Sequence, residues 1–416
     1  MKLNFKLDIF KHATFDAVRK DLFARLENNY AHLFPASKSA KILLKPNFNS
    51  NMNALTGNTT DLRILSAVIV FLKEKGYTNI LIGEGTNSGF YRNKIGVSTR
   101  LKGDQLARYY GVKIKDFNYA EPHEISFDKN VKAAVAKDTV EADLFINLPK
   151  LKTHFENGMT VCLKNMMGCL IGQENKKKVH DNLPENILRI NQAVKPHLHI
   201  VDGLIAMEGL GPTRGTPLRM DTIVIGEDPY LIDLACARLA CFDHSAVRTL
   251  ALAEEKGVLT SAHHDFINSL DLSGFQKKFA PPKAGPLATF IHSPKRQKFF
   301  LKIRNTPFFT YLAATDWFGR LLFITGLRQD VFLKDEMEMK GLAHDAQACV
   351  SCGACRDVCP LDRPLPEGLS QPDDNCIHCL YCYAVCPQQA ISVDGELGFF
   401  EEQLKQYDHL IRKLYQ

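Results

Sequence analysis

The most chemically specific residues of the chain are eight cysteines near its C-terminus. They form two runs of the pattern CxxCxxCxxxCP, at Cys349, Cys352, Cys355 and Cys359-Pro360 and again at Cys376, Cys379, Cys382 and Cys386-Pro387. Three thiolates spaced by two residues can hold three corners of a cubane 4Fe-4S cluster, and in two-cluster modules of this spacing the fourth cysteine ligates the other cluster. The expected ligand sets are therefore Cys349, Cys352, Cys355 and Cys386 for one cluster, and Cys376, Cys379, Cys382 and Cys359 for the other. The prolines after Cys359 and Cys386 prevent continuation as helix, and Gly353, Ala354 and Ala384 leave room for sulfide and for amide hydrogen bonds. Zinc also takes four cysteines, but zinc modules usually pair two CxxC knuckles across a longer loop. Disulfides fit less well, because no secretory leader precedes Met1-Lys2-Leu3-Asn4; the expectation is a cytoplasmic protein with reduced thiols.

The first 270 residues hold further groups able to do chemistry. Lys45-Pro46-Asn47 ends an apolar run and leads into a polar loop, Asn49 to Asn53 and Thr56 to Thr60, whose donors suit an anion or simply cap a helix. Gly83-Glu84-Gly85 fails the GxGxxG pattern, and no GK[ST] exists for a phosphate loop. Asn147-Leu148-Pro149-Lys150-Leu151-Lys152-Thr153-His154, followed by Lys164-Asn165-Met166-Met167-Gly168, is the densest cluster. Lys150, Lys152, His154 and Lys164, with Lys45, are the candidate groups for binding an anion or moving a proton, since lysine shifts its pKa when buried and histidine titrates near neutrality. The plain alternative is a solvated basic face. Val201-Asp202-Gly203 through Glu208-Gly209-Leu210-Gly211-Pro212 reads as a glycine-rich loop offering Asp202 as a metal ligand and Glu208 as an acid or base, with Glu84 available for either role. Cys162, Cys169, Cys236 and Cys241 read as core residues, and His263-His264 as a solvent-facing turn.

These residues need elements to position them. Apolar runs at Lys41–Leu44, Asn79–Ile82, Val112–Ile114, Asp143–Ile146, His197–Val201 and Thr222–Ile225 alternate with amphipathic stretches. That pattern predicts an α/β fold, a mainly parallel sheet with flanking helices, whose sites lie at strand ends. Helices are predicted from Thr60 to Lys75 and after Asp228-Pro229. Residues 271–340 are rich in proline and aromatics and read as a connector with helices. Residues 341–396 read as a small α+β two-cluster 4Fe-4S ferredoxin-type domain, and 397–416 as a C-terminal helix without visible chemistry. At 416 residues and 45% hydrophobic, the chain is an ordinary globular protein in composition. Its charge is unevenly spread: residues 341–416 carry 5 Lys+Arg against 11 Asp+Glu, and the remainder carries the basic excess of a chain whose net charge is +6. An acidic module docked on a basic body is expected, as is attraction of a small anionic substrate. No basic run with interleaved aromatics points to nucleic acid. No run reaches the ~20 apolar residues of a membrane span, although residues 299–327 suit peripheral membrane contact.

Taken in order, Lys45-Pro46-Asn47, Gly83-Glu84-Gly85, Asn147 through His154, Lys164-Asn165-Met166-Met167-Gly168, Val201-Asp202-Gly203 through Gly211-Pro212, and Asp228-Pro229 with Asp233 resemble the domain of unknown function 362 family. With the cysteine module, the chain resembles the uncharacterised iron-sulfur center proteins of that family. The resemblance implies an α/β body and two 4Fe-4S clusters; it implies no reaction. Two readings follow: an oxidoreductase whose clusters pass electrons to a small anion bound in the body, or a non-catalytic carrier serving a redox partner protein or a cofactor-assembly system.

Overall fold

The computed structural model describes residues 5–87, 90–91, 94–126, 132–180, 182–282, 335–370 and 375–416, together with 303, 306–313, 315, 317–318 and 321. Its centre is a mixed sheet whose middle strands are buried on both faces, the environment that requires continuous apolar runs rather than polar alternation. The strands are β1 (Leu7–Lys11), β2 (Ile42–Pro46), β3 (Ile80–Glu84), β4 (Lys113–Asp116), β5 (Pro122–Ser126), β6 (Lys132–Ala136), β7 (Leu144–Leu148), β8 (Lys150–His154), β9 (Gly158–Thr160), β10 (Leu198–Glu208), β11 (Thr216–Gly226), β12 (Glu338–His344) and β13 (Ile391–Glu396). The main sheet runs β1-β11-β10-β7-β2-β3-β4, with β8 on β10 and β9 on β8. β10, β7, β2, β3 and β4 are parallel neighbours, while β11 and β1 close one edge antiparallel. The predicted mainly parallel α/β sheet with flanking helices is present.

Successive side chains of a strand face opposite ways, and that alternation sorts the core. Ile42, Leu44, Leu144 and Ile146 join the apolar cluster holding the helices Phe15–Asn29 and Leu62–Glu74. Leu43 and Phe145 join the cluster on the other face with the helices Leu183–Ala193 and Pro229–Leu239. Asp61 and Asp228 start two of these helices by accepting backbone amides, Arg63 N at 2.9 Å and Tyr230 N at 2.8 Å.

Two segments depart from the sequence expectation. The stretch after Pro149, assigned no element of its own from the sequence, is a strand. Pro149 has no N–H to give the ladder, so it interrupts the path, but its carbonyl accepts from Asp202 N at 2.8 Å and the chain resumes as β8 along β10. The supposed glycine-rich loop at Val201 to Glu208 is the second half of the eleven-residue β10. Gly203 allows it there, since a Cβ would stand 2.6 Å from the Thr222 carbonyl oxygen of the paired strand. β1, the β8–β9 hairpin and the β5–β6 hairpin were not visible as elements in the sequence.

The C-terminal module consists of β12 and β13, paired antiparallel, with the cysteine loops between them. Val358, Ile377, Leu380 and Tyr381 of the module, and Phe399, Tyr407 and Ile411 of the helix Phe399–Lys413, belong to the same apolar cluster as the Leu62–Glu74 face of the sheet. Polar contacts match the charge split: Asp357 accepts Phe15 N at 2.7 Å, its carbonyl accepts Arg63 at 3.0 Å, and Asp362 pairs with Arg19. The C-terminal helix braces the polar loop. Gln403 accepts Asn53 N at 2.7 Å and donates to the Asn51 carbonyl at 3.3 Å. The connector contributes a helix at Pro307–Ala313; most of residues 283–334 lies outside the described residues. No helix among the described residues is long and apolar enough to cross a membrane.

Candidate functional site

The polar groups foreseen in the body converge at the C-terminal ends of β2, β3 and β7 and along β8, where parallel sheets place their sites. They sort into an inner layer, in which Lys45 and Lys150 are paired with carboxylates, and an outer layer without an ion pair among the described residues. In the inner layer, Lys45 is fully buried and its Nζ lies 3.0 Å from Glu84 Oε2. Glu84 accepts two further hydrogen bonds, from Phe48 N at 3.1 Å and Gly85 N at 2.8 Å. Lys150, equally buried, donates to Asp202 Oδ2 at 2.9 Å. Asp202 also accepts Asp61 N at 2.6 Å and Leu204 N at 3.1 Å. These internal donors occupy both carboxylates, so Asp202 is a strut between β8, β10 and the start of a helix rather than a ready metal ligand.

The glycines of Gly83-Glu84-Gly85 have a cause: a Cβ on Gly83 would stand 2.1 Å from the Phe117 ring, and one on Gly85 2.6 Å from the Gly168 carbonyl oxygen. Gly85 N donates to the Gly168 carbonyl at 2.9 Å, and a Cβ on Gly168 would stand 1.7 Å from Glu84 Oε1. The two backbones meet over the Lys45–Glu84 pair, and a side chain on Gly168 would displace it.

Lys152 has no carboxylate partner among the described residues. Its Nζ donates to Asn47 Oδ1 at 3.0 Å, Asn49 Oδ1 at 3.1 Å and the Asn58 carbonyl at 2.6 Å. Burial, and then the charges of Lys164 and Lys150, hold its pKa well below the usual lysine value. Asn47, Asn147 and Asn165 form a chain of side-chain amide bonds of 2.8 and 2.7 Å that ties β2, β7 and the turn carrying Lys164 together. Asp233 anchors that turn by accepting Cys162 N at 2.8 Å, and burial raises its pKa to about 7.

The outer layer consists of Lys164, His154 and Lys176. Lys164 is part-buried, and its amine has no hydrogen-bond partner among the described residues; burial lowers its pKa to about 8, opposed by the charge of Glu156. His154 accepts Glu156 N at 3.1 Å and Asn157 N at 3.2 Å on Nδ1. Its proton must therefore sit on Nε2, and burial with the nearby Lys164 charge keeps the ring neutral. His154 is thus a fixed hydrogen-bond donor and not the group titrating near neutrality that its residue type suggested. Lys176 donates to the Thr86 carbonyl at 2.6 Å and Asn118 Oδ1 at 2.7 Å, and burial lowers its pKa to about 8.

Lys176 and Glu156 escaped sequence reasoning, as did His180, whose Nδ1 lies 3.7 Å from Glu156 Oε2. Lys176 opens a run of three lysines on a polar helix, with nothing local to show which one turns inward. Glu208 stands apart from the lysines: its carboxylate accepts Ala280 N at 2.7 Å. Of the other singled-out residues, Cys162, Cys169 and Cys236 are buried as expected, whereas Cys241 is exposed. His263 is buried rather than solvent-facing: it receives Thr260 N at 3.1 Å and faces Asp228 at 3.3 Å.

In the C-terminal module Cys359, Cys376, Cys379 and Cys382 line one pocket, and the thiols acting electrostatically on Cys355 are Cys352, Cys386 and Cys349. Folding therefore brings together the two sets that crossed ligation requires. Ser351, Gly353, His378 and Leu380, within the cysteine loops, have φ of 53°, 77°, 52° and 61°. Such turns point amides inward, and Ser351 N and Ala390 N approach Cys349 Sγ at 3.4 Å and Cys386 Sγ at 3.3 Å. Burial, followed by mutual repulsion, pushes the Cys379 thiol well up and Cys355 to about 11. Such crowding of would-be thiolates is relieved when iron holds them. The donor set fits two 4Fe-4S clusters.

Cys352 is exposed, whereas the set containing Cys379 and Cys382 abuts the body. Asn53 Nδ2 donates to the Cys379 carbonyl at 3.3 Å, and Leu62 N donates to Tyr381 Oη at 3.3 Å.

Comparison with known proteins agrees with this division. Residues 42–238 match a domain of unknown function, DUF362, and residues 341–387 match a 4Fe-4S dicluster domain. A curated relative, thylakoid-associated protein sll1697 of Synechocystis sp., is 27% identical over 234 residues, 53% of this chain and 70% of that protein. The lactate racemase apoprotein of Thermoanaerobacterium thermosaccharolyticum aligns with a TM-score of 0.38 and 14% identity, over 56% of each chain. The chain therefore spans little more than half the length of that structure.

Proposed function

The chain carries a DUF362 domain joined to a 4Fe-4S dicluster domain, and from that premise we propose that it is an oxidoreductase acting on a small anionic substrate in the body. When bound, each cluster stores and releases one electron at a time. The observation that carries the reading is the loop of residues 47–61. At Asn53 it touches the backbone of the inner cysteine set, and at Asn47, Asn49 and Asn58 it receives Lys152. The residues that hold an inner cluster are thus one short loop away from the lysine layer.

Charge supports an anionic ligand. Lys45 and Lys150 are neutralised by Glu84 and Asp202, which removes them from the anion site the sequence suggested. Lys152, Lys164 and Lys176 remain without a carboxylate partner among the described residues, their pKa values depressed. A bound carboxylate or phosphate favours their charged forms, and His154 Nε2 adds a neutral donor. A redox partner protein would meet the outer cysteine set, where Val350 is 59% exposed.

The test is anaerobic. Dithionite-reduced protein, freed of excess reductant, is mixed with small carboxylates and phosphate esters while cluster reoxidation is followed by EPR and absorbance. One anion class is expected to reoxidise the clusters, and Lys164→Met to slow this at least about tenfold with iron content unchanged. Because Lys164 and Lys176 lose charge as pH rises through about 8, anion affinity should fall above that pH, and binding near it should take up protons. If no anion reoxidises the clusters, the carrier reading replaces this one.

A separate observation favours peripheral membrane contact through residues 299–327. Phe308 and Tyr311 are each 75% exposed and Trp317 is 63% exposed, and the curated relative is named as thylakoid-associated. We expect the protein to float with anionic liposomes and the Phe308→Ser/Trp317→Ser variant to float less; a wild-type protein that stays at the bottom of the gradient removes this reading.

A further inference from the structure

Away from the lysine layer and the cysteines, three side chains from three consecutive elements point at one spot. His244 comes from the 3-10 turn His244–Ala246, Glu254 from the helix Arg248–Glu255, and His264 from the helix Ser261–Asn268. Their ligand atoms all lie within 4.8 Å of one another. His244 Nε2 is 2.7 Å from Glu254 Oε2, and His264 Nε2 is 3.1 Å from Glu254 Oε1. The two rings meet edge to face with centroids 4.8 Å apart.

A carboxylate bridging two imidazoles by hydrogen bonds is the simpler account, and one detail does not fit it. His264 Nε2 is sealed from solvent and makes no hydrogen bond of acceptable geometry, despite its distance from Oε1. A buried polar atom left unsatisfied beside a carboxylate requires an explanation. An atom presenting a lone pair toward a shared centre supplies one.

We propose that His244, Glu254 and His264 form a divalent-metal site, zinc being the best match. Two imidazole nitrogens and one carboxylate are a recognised three-ligand zinc set that leaves one position open, while the borderline ligands disfavour magnesium and calcium. Ligand atoms on one tetrahedral zinc stand ~3.3 Å apart, so side-chain rotation alone closes the ring. The Asp243 carboxylate, 3.7 Å from His244 Nδ1, is the outer partner that would orient that ring.

The site has a structural consequence. The helix bearing Glu254 begins against the loop after His154: Arg248 N donates to the Asn157 carbonyl at 3.0 Å, and Asn157 Nδ2 donates to Thr249 Oγ1 at 3.2 Å. A metal clamping the far end of that helix stiffens the support of His154.

The experiment uses the full chain with its clusters in place, so that cysteine thiols do not compete. Equilibrium dialysis against zinc, with metal analysis, is expected to show one zinc per chain in addition to iron, and zinc should raise the thermal midpoint. His264→Ala and Glu254→Gln should each weaken zinc binding at least about tenfold with iron unchanged. Glu254→Gln retains the shape of the site, so folding failure of the alanine variant does not obscure the outcome. Zinc that fails to bind the wild type, or binds both variants equally, overturns the proposal.

Discussion

Replacing Asp202 with alanine is expected to destabilise the body by about 3–5 kcal/mol, the range found when one member of a buried ion pair is removed. Two causes act together. Lys150 Nζ is fully buried and would lose its carboxylate partner. Asp61 N and Leu204 N would lose their acceptor. Burial opposes ionisation of the Asp61 carboxylate, but Arg63 and Lys150 outweigh it, so its charge attracts the freed lysine and offsets part of the loss. For a domain of this size the loss corresponds to a drop in thermal midpoint on the order of 10 °C. The double variant Lys150→Met/Asp202→Leu should recover most of it, because an apolar pair of similar volume leaves no unpaired charge. Calorimetry of the three proteins checks this. Equal melting of Asp202→Ala and wild type would show that the pair is not the strut described.

Exchange of Cys359 for serine is expected to cost the same cluster as exchange of Cys376, Cys379 or Cys382. Iron should fall from about eight to about four per chain, and the EPR interaction between two reduced centres should vanish. Exchange of Cys386 should instead match exchange of Cys349, Cys352 or Cys355. The reason is spatial: Cys359 lines one pocket with Cys376, Cys379 and Cys382, although it belongs to the first run. The two classes should also differ in stability. The inner set lies against Asn53 and Leu62 of the body, so loss of its cluster should lower the melting of the body, whereas loss of the outer cluster should hardly affect it. Grouping of Cys359 with Cys349, Cys352 and Cys355 by either measurement would contradict the crossed arrangement.

Much of the body was legible because its strands are buried on both faces. Runs such as Ile42-Leu43-Leu44 and Leu144-Phe145-Ile146 have little freedom to be anything but interior strands, and Asp61 and Asp228 announce their helices by local capping. β8 and β10 were misread for the opposite reason. Lys150, Lys152 and Thr153 look like a polar loop, and Gly203 and Gly209 look like breakers. Each segment is a strand only because a distant partner, β10 for β8 and β11 for β10, offers it a ladder that no local pattern records.

Residue types and spacing alone determined the cluster chemistry, because most cysteine ligands of a cubane lie within one short turn of chain and thiolate spacing is a local property. They also determined that lysines gather at the strand ends. Only the tertiary structure decided which of those lysines are paired. Lys45 and Lys150 are held by carboxylates 39 and 52 positions away, and Lys152 by oxygens 94 to 105 positions away. Lys164 is left unpartnered among the described residues. A lysine's charge is the same in every sequence; its availability depends on what burial and a distant partner have done to it, and that is decided when the chain closes on itself.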